Sequence, residues 1–325
     1  MNRRIFLVAV VALGFLAAPL CGAQPPSKVH RIGFFMARAP DASLDAAFVR
    51  GLNEAGYQEG KNIIVESRFA YNKAEALPAL ATEMARMNLE VIVVAPEQAA
   101  VAMKKAAPTV PIVLATAGDP VGTGLATALA RPGGNVTGLS NISTDIIGKH
   151  IQLLKQTIPG ITRVAFLTNA HNLTKATQLR EARAAEQSLN VELVFEETQG
   201  PADLDRAFTA MVRSRPSVLV VAIDPLMFSE RRRLADLAMK HRLPAISPFR
   251  EFAEAGGLMA YGGNLVYMFS RSAAYVDKIL RGANPAELPI EQPTVFEMAV
   301  NLKTAKELGI KIPDSILLRA DKVIE

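Results

Sequence analysis

A segment between Ile112 and Asn141 constrains the fold of this chain more than any other. It begins with an apolar strand at 112–115, breaks at a run of small residues with one acid, and continues as a predicted helix at 121–130. A glycine-rich turn then leads to a predicted strand at 136–139. Strand, helix and strand in this order predict a parallel α/β unit. In such units ligands bind at the loop between the end of a strand and the start of the next helix.

The length and charge of the chain bound the classes of protein it can belong to. Its 325 residues are enough for two domains of about 150 residues each. The formal charge of +5 includes Arg3 and Arg4 of the N-terminal segment, and the other basic residues are scattered, so we expect no nucleic-acid partner. Cys21 is the single cysteine, which excludes an internal disulfide.

The first 23 residues are typical of a secretory signal peptide. Arg3 and Arg4 precede an apolar run at 5–20, and small residues follow it. We therefore expect residues 1–23 to be removed on export to the periplasm or the medium, by a Sec or a twin-arginine signal. Two alternatives stay open: lipid anchoring at Cys21, and retention of the segment as a membrane anchor.

The region after this signal predicts a first α/β lobe. A continuous apolar run at 91–95 indicates a strand buried on both faces, as in a parallel sheet. The predicted strands of this lobe are 31–36, 63–68, 91–95 and 112–115, and the helices between them are 43–55, 74–87 and 97–106.

The same alternation continues and predicts a second lobe. Its predicted helices are 144–157, 175–188, 202–213 and 225–241, and its strands are 164–168, 191–195, 218–223 and 245–246. Strands that alternate with helices over this length predict right-handed βαβ units, and hence an α/β fold class with a doubly wound parallel sheet in each lobe.

The last eighty or so residues predict one more strand and helix for each lobe. The pairs are 257–261 with 265–280, and 294–300 with 302–308, where Gly309 ends the helix. The expected first lobe is 29–140 plus 248–292, and the second is 141–247 plus 293–325. The backbone then crosses between the lobes near Ser140, Ser247 and Pro293, which predicts a hinge.

Ordered short motifs also connect this chain to a known family. They are Arg31-Ile32-Gly33-Phe34, Glu59-Gly60-Lys61-Asn62, Gly118-Asp119-Pro120-Val121-Gly122-Thr123-Gly124, Arg131-Pro132-Gly133-Gly134-Asn135-Val136-Thr137-Gly138, Phe249-Arg250-Glu251-Phe252 and Tyr275-Val276-Asp277-Lys278-Ile279-Leu280. From Val29 to Glu325 the sequence resembles the type I periplasmic solute-binding proteins of ABC transporters, in the branch that includes tryptophan- and aromatic-amino-acid-binding members.

The resemblance implies two lobes joined by three linkers, with a small-molecule ligand in the cleft between them. It also implies a partner, a membrane permease driven by an ATPase. This chain has no G-x-x-x-x-G-K-[ST] loop of its own, so we do not expect it to hydrolyse ATP. We expect a monomer that needs no cofactor and no metal.

Three candidate ligand residues follow the strand at 112–115. Thr116 offers a hydroxyl, and Ala117 offers a backbone amide that can receive a carboxylate near a helix N-terminus. Asp119 precedes a proline, which favours a helix cap over direct ligand contact, although both interpretations stay open.

Other candidates end neighbouring strands of the first lobe. Glu97 can pair with a ligand ammonium or simply favour the start of a helix, and Pro96 lies beside it. Met36 and Ala37 end the first strand and offer apolar surface, with core packing as the alternative.

The remaining candidates are polar groups at strand ends of the second lobe and two aromatic rings near the predicted lobe crossings. Asn169 and Asn172 can bond a polar ligand or cap a turn. Asp224 is the best candidate for a buried anion facing an ammonium, with a helix cap as the alternative. Phe249 and Tyr261 can stack on a ligand, or Phe249 can belong to the core.

The motifs of catalysis are absent from the sequence. There is no G-x-S-x-G, no H-E-x-x-H and no pair of histidines at metal-binding spacing, so we expect a binding protein and not an enzyme. Our hypothesis is a receptor that carries an amino acid or related carboxylate to an ABC importer. The main alternative is a receptor that presents its closed form to a membrane signalling protein.

Overall fold

Two β-sheets, one after the other along the chain, organise the residues described by the computed structural model, 28–141 and 146–325. Residues 1–27 and 142–145 lie outside this description, and with them the predicted signal peptide and the start of the helix predicted at 144–157.

The first sheet has five parallel strands in the order β2-β1-β3-β4-β5. Its strands are β1 (His30–Met36), β2 (Ile63–Phe69), β3 (Val91–Ala95), β4 (Ile112–Leu114) and β5 (Val136–Gly138). The helices between them are α1 (Ala42–Glu54), α2 (Leu77–Ala85) and α3 (Glu97–Ala106), with a 3-10 turn at Ala74–Ala76 before α2.

Further along the chain, seven strands form the second sheet in the order β12-β11-β10-β9-β8-β6-β7, in which only the β10–β11 pair is antiparallel. The strands are β6 (Arg163–Asn169), β7 (Glu192–Thr198), β8 (Val218–Val221), β9 (Ala245–Ser247), β10 (Met259–Gly263), β11 (Phe296–Asn301) and β12 (Lys322–Ile324). The helices are α4 (Ile146–Thr157), α5 (Lys175–Leu189), α6 (Leu204–Arg213), α7 (Pro225–Ser229), α8 (Arg231–Lys240), α9 (Arg250–Glu254), α10 (Leu265–Leu280), α11 (Leu302–Leu308) and α12 (Asp314–Leu317), with a 3-10 turn at Pro201–Asp203.

Strand β3 shows why its apolar run is continuous. Val91, Val93 and Ala95 pack in the core that includes α1 and α10, whereas Ile92 and Val94 pack in the core that includes α2 and α3. Successive side chains of a strand point to opposite faces, so a sheet covered on both faces needs apolar residues at every position. The α/β fold class with a parallel sheet in each lobe is confirmed.

One strand expected in the first lobe lies in the second. The strand predicted at 257–261 is β10, which pairs with β9 and β11 of the second sheet, whereas α10 packs on α1 of the first lobe. The second crossing of the chain therefore lies at Asn264 and not near Ser247. The strand and the helix that follow each other in sequence belong to different lobes, which sequence periodicity does not reveal.

The helix predicted at 121–130 is wrong, because this segment consists of turns. Gly124 has a φ of +72°, which lies outside the helical region, and each glycine costs about 1 kcal/mol in a helix relative to alanine. Lys104 on α3 instead donates to the carbonyls of Gly124 and Leu125 at 2.9 and 3.1 Å. The segment is thus held as an irregular loop.

Smaller differences concern the predicted helix at 225–241 and the end of the chain. The helix is two helices, α7 and α8, separated at Glu230, and the tail after Pro313 contains α12 and the edge strand β12. Gly309 ends α11 in the left-handed region with a φ of +74°, as its position predicts. Within the described ranges, no helix combines the length and apolarity that a bilayer crossing requires.

Candidate ligand-binding site

A cavity lies between the two lobes, and residues of both lobes line it. Small-molecule sites are typically clefts of this kind, with a largely apolar lining and a few polar groups. Polar contacts also join the lobes: Ser229 donates to Asn72 Oδ1 at 3.1 Å, and the Arg231 guanidinium lies 3.6 Å from Asp41. The described conformation therefore has the lobes in contact.

The topology of each sheet explains why the cavity is here. In the first sheet the strand order reverses between β1 and β3, and in the second it reverses between β6 and β8. Parallel sheets bind ligands outside the carboxyl ends of their strands at such reversals. Arg38 and Glu97 follow β1 and β3, and Asn172 and Asp224 follow β6 and β8, so both reversal points contribute to one cavity.

Glu97 brings a buried carboxylate to the cavity from the first lobe. Its side chain is 6% exposed, and Oε1 accepts the backbone N–H of Asp119 at 2.9 Å. Burial raises the pKa of Glu97 to about 7, and the nearby carboxylates of Asp224 and Asp119 contribute to this value. A group in this position readily accepts a cation or a proton.

Asp224 brings a second carboxylate from the other lobe. It is 1% exposed and begins α7, where Oδ1 accepts the N–H of Leu226 at 2.7 Å. Burial raises the pKa of Asp224 to about 6, although hydrogen bonds from Leu226 and Asn169 oppose this. Asp224 is thus both a helix cap and a cavity residue, and the two interpretations of its sequence position are compatible.

A buried polar network supports the loop next to Asp224. Asn172 donates to the carbonyl of Ile223 at 2.8 Å and accepts from the N–H and hydroxyl of Thr174. Gln178 donates to the same carbonyl and accepts the N–H of Ile223 at 3.1 Å. Because these groups satisfy one another, the backbone before Asp224 is fixed in place.

Arg38 is a buried cation that also lines the cavity. It pairs with Asp45, donates to the carbonyl of Ala39 at 2.8 Å and lies 5.2 Å from the ring centre of Phe269. Its Nε has no hydrogen-bond partner among the described residues, and the same holds for the buried side-chain oxygens Thr116 Oγ1 and Asn141 Oδ1. Buried polar atoms are normally paired, so these three indicate bonds to a ligand or to water.

The remaining wall of the cavity is apolar and largely aromatic. The rings of Phe228 and Phe249 meet edge to face, with their centres 5.2 Å apart. Phe269, Leu44 and Leu265 complete this wall. All five side chains are buried, so the wall can accept an apolar group of a ligand without exposing it to water.

The structure brings one set of the sequence-predicted residues together and separates another. The predicted residues that line the cavity are Pro96, Glu97, Thr116, Asn172, Asp224 and Phe249. Met36 and Ala117 are instead fully buried in the two cores of the first lobe. Their side chains point into the core and not toward the cleft. A position at the end of a strand therefore does not by itself predict that a side chain lines the cleft.

Four other predicted residues do not line this cavity. Ala37 and Asn169 line a second inter-lobe pocket, and Asn169 Nδ2 also lies 3.3 Å from both carboxylate oxygens of Asp224. Asp119 accepts the N–H of Gly122 at 2.8 Å, but no helix follows it, so it orders a turn and does not cap a helix as its sequence position favours. Tyr261 packs in the second lobe, stacked on Phe296 with ring centres 5.7 Å apart.

Sequence reasoning missed several lining residues. Arg38 follows β1 directly and shared the strand-end signal that identified Ala37. Phe228 and Phe269 lie on helices, where an aromatic residue predicts core packing equally well. Asn141 lies at the first crossing and had no signal. Among the described residues no group of three or more histidine, cysteine or acidic side chains could hold a metal ion.

Several known proteins share this fold and part of this sequence. A conserved domain protein from Vibrio cholerae is 26% identical, and its structure superposes with a TM-score of 0.86 over 91% of this chain and 100% of that one. An ABC domain from Streptococcus pneumoniae, solved with L-Trp, is 23% identical, with a TM-score of 0.85 and the same coverage.

A curated relative is the tyrosine-binding protein of Clostridioides difficile, 24% identical over 272 residues, which are 83% of this chain and 78% of the relative. The family model for ABC transporter substrate binding proteins matches residues 41–324, almost all of the described chain. Members of that family bind solutes and are not enzymes, in agreement with the expectation from the sequence. This chain belongs to the family of ABC transporter substrate binding proteins, with the type I periplasmic binding fold.

Proposed function

We propose that this protein is the extracytoplasmic solute-binding component of an ABC importer and binds an amino acid with an apolar side chain between its lobes. One observation carries the proposal: two buried acidic side chains, one from each lobe, line the same cavity as an aromatic wall. An amino acid carries the matching groups, an ammonium, a carboxylate and a side chain.

The ligand ammonium binds between Glu97 and Asp224. Both carboxylates are buried, and no cationic side chain among the described residues pairs with either of them. An ammonium has three N–H donors and is the natural partner of such acceptors. Because the two acids belong to different lobes, one ammonium holds the lobes together.

The ligand carboxylate binds to Arg38 and Thr116, which also line the cavity. Arg38 presents its unpartnered Nε, and Thr116 presents an unpartnered hydroxyl, both of which can donate to a carboxylate oxygen. This replaces the simpler hypothesis that Thr116 and nearby amides alone receive the carboxylate. The wall formed by Phe228, Phe249 and Phe269 then accepts the ligand side chain, and aromatic rings prefer such edge and face contacts.

Two relatives support an aromatic amino acid as the first ligand to test. The Clostridioides difficile relative is a tyrosine-binding protein, and the Streptococcus pneumoniae domain was solved with L-Trp. The aromatic wall of the cavity is compatible with the ring of either ligand. Hinge bending at the crossings near Ser140, Asn264 and Pro293 closes the lobes, since only the closed form makes both sets of contacts.

Delivery completes the proposed function. A monomer exported by its N-terminal signal binds the solute outside the cytoplasm, and its closed form docks on a permease that an ATPase drives. Permease and ATPase genes beside this one, and uptake of the ligand that is lost on deletion of this gene, are the expected results.

The binding step is tested by calorimetry with all common amino acids, preceded by mass spectrometry of whatever co-purifies. We expect L-Tyr, L-Trp or another apolar amino acid to bind, and Asp224→Ala to abolish this binding. Glu251→Ala is the control, because Glu251 is a partly buried acid that does not line the cavity. Unchanged affinity in Asp224→Ala would remove Asp224 from the ammonium site.

A further inference from the structure

The two acids of the cavity are electrostatically uncompensated in the closed conformation. The charged side chains that line the cavity are Arg38, Glu97 and Asp224. Arg38 already forms an ion pair with Asp45, so its charge does not compensate Glu97 and Asp224. Closing the empty cleft with both acids ionised therefore buries two like charges in one cavity.

The groups packed around Glu97 and Asp224 do not supply the missing charge. Asp119, in the loop after β4, donates its N–H to Glu97, but its own carboxylate adds negative charge nearby. Around Asp224 the neighbouring groups are neutral: the N–H of Leu226 and the side-chain amides of Asn169 and Asn172. Hydrogen bonds from the described residues lower the free-energy cost of burying these two charges, but they do not neutralise the charges.

We propose that Glu97 and Asp224 control closure of the lobes. The lobes close only when a positive charge enters with the two acids, supplied by the ligand ammonium or, without ligand, by protons bound to the carboxyl groups. This inference rests on the function proposed above. It adds which ligands close the lobes, and at which pH the ligand-free protein closes.

The physical cause is desolvation. In an open cleft both carboxylates contact water, which stabilises their ionised form, and closure removes that water. A ligand ammonium replaces the lost hydration with direct ion pairs. At neutral pH the empty protein therefore remains open, and the closed shape becomes a signal that an amine has been bound.

The selection rule separates ligands that differ only in their charged groups. L-Trp, tryptamine and indole-3-propionate share one ring system, but indole-3-propionate lacks the ammonium. We expect L-Trp and tryptamine to close the lobes at pH 8 and indole-3-propionate to leave them open. Closure by indole-3-propionate at pH 8 to the same extent as by L-Trp would overturn the rule.

The rule for the empty protein is tested without any ligand. Spin labels at Glu75→Cys and Gln199→Cys, in a chain with Cys21→Ser, report the lobe distance, because both positions are exposed and line the second inter-lobe pocket from opposite lobes. In the wild-type background we expect an open distance at pH 8 and a growing closed population toward pH 5.

Neutral isosteres separate this mechanism from a general effect of acid. Glu97→Gln and Asp224→Asn keep the acceptors for the N–H groups of Asp119 and Leu226 while removing the charge. Each should raise the ratio of closed to open empty protein at pH 8 by about tenfold or more, since one pKa unit corresponds to a factor of ten, and the double variant should lose its pH dependence. Glu251→Gln, which neutralises a partly buried acid outside the cavity, should change neither this ratio nor its pH dependence.

The same distance distribution in the wild type and the double variant at both pH values would overturn the proposal. This result is distinguishable from failure of the proposed function. If no amino acid binds, the function fails, but the ligand-free distances still decide whether the two acids control closure.

Discussion

The hydroxyl of Thr177 donates to Oδ2 of Asp119 at 3.2 Å and thereby joins the two lobes. Thr177 lies on α5 of the second lobe, and Asp119 lies in the loop after β4 of the first. The other oxygen of Asp119 accepts the N–H of Gly122, which orders that loop. Asp119 therefore orders its own loop and also accepts a hydrogen bond from the opposite lobe.

Thr177→Val is expected to weaken ligand binding without destabilising either lobe. Valine keeps the shape of threonine and removes one hydrogen bond, which contributes about 0.5–1.5 kcal/mol. Because the bond spans the lobes, that loss should appear as about a two- to tenfold lower affinity. Calorimetry measures the affinity, and thermal unfolding of the empty protein should be unchanged.

The control for this variant is Thr209→Val on α6. The Thr209 hydroxyl bonds within its own helix, to the carbonyl of Asp205 at 2.8 Å, and makes no contact between lobes. It should leave ligand affinity at the wild-type value. Equal affinities of Thr177→Val and wild type would show that the inter-lobe bond is not important in solution.

Gly118→Ala should obstruct closure more strongly. A Cβ atom at this position would lie 2.9 Å from Thr174 Cγ2 of the other lobe and 2.2 Å from Glu97 Oε1. The contact with Thr174 exists only when the lobes meet, and the added methyl also displaces the Glu97 carboxylate. We expect at least about a tenfold loss of ligand affinity, which corresponds to about 1.4 kcal/mol, measured by calorimetry.

Gly134→Ala provides the comparison for this glycine variant. An added Cβ at Gly134 meets nothing within 4 Å. This variant should bind ligand as the wild type does. If Gly118→Ala also binds normally, the lobes do not approach each other in solution as closely as they do here.

Hydrophobic periodicity predicted most of the fold because the inner strands, such as β3, β4 and β8, are buried along their whole length. The helix α10 and the strand β3 have the predicted bounds, and each is a long or continuous apolar pattern. Periodicity could not assign β10 to its lobe, since a buried strand has the same hydrophobic pattern in either lobe. It also overestimated helix at 121–130, where alanines suggested a helix but Gly124 requires a left-handed backbone.

The candidate site was partly predictable for a related reason. Strand ends are visible in sequence, and they led to Glu97, Thr116 and Asp224, all of which line the cavity. The face on which a strand-end side chain falls depends on the register, so Met36 was predicted for the cleft but lies in the core. Phe228 packs against Phe249 across a long sequence separation, and no local pattern encodes such a pair.

His150 should make the protein sensitive to acid. It is 1% exposed, its Nε2 lies 2.6 Å from the carbonyl of Tyr261, and burial lowers its pKa from 6.5 to about 4. The unfolded chain therefore binds a proton more readily than the folded protein does. Stability should fall as the pH decreases from about 6.5 to about 4, by about 3 kcal/mol in total from this group.

The contribution of His150 is isolated by comparing wild type with His150→Gln in urea unfolding between pH 4 and pH 7. Glutamine retains a donor for the Tyr261 carbonyl but does not titrate. The difference in the free energy of unfolding between the two proteins should change with pH over this range. Glu97 and Asp224 have raised pKa values, so their effect has the opposite sign and is common to both proteins. A difference that stays constant would contradict the assignment.

Arg38→Lys tests the carboxylate end of the proposed site. Lysine keeps the positive charge that pairs with Asp45 but lacks the Nε donor and the planar group that lies over Phe269. Affinity for L-Trp should fall by about tenfold, the equivalent of about 1.4 kcal/mol, whereas affinity for tryptamine, which has no carboxylate, should change little. Calorimetry with both ligands gives the two ratios, and Arg68→Lys, at an exposed pair with Glu83, is the control. Equal losses for the two ligands would mean that Arg38 supports the cavity wall and does not contact the ligand carboxylate.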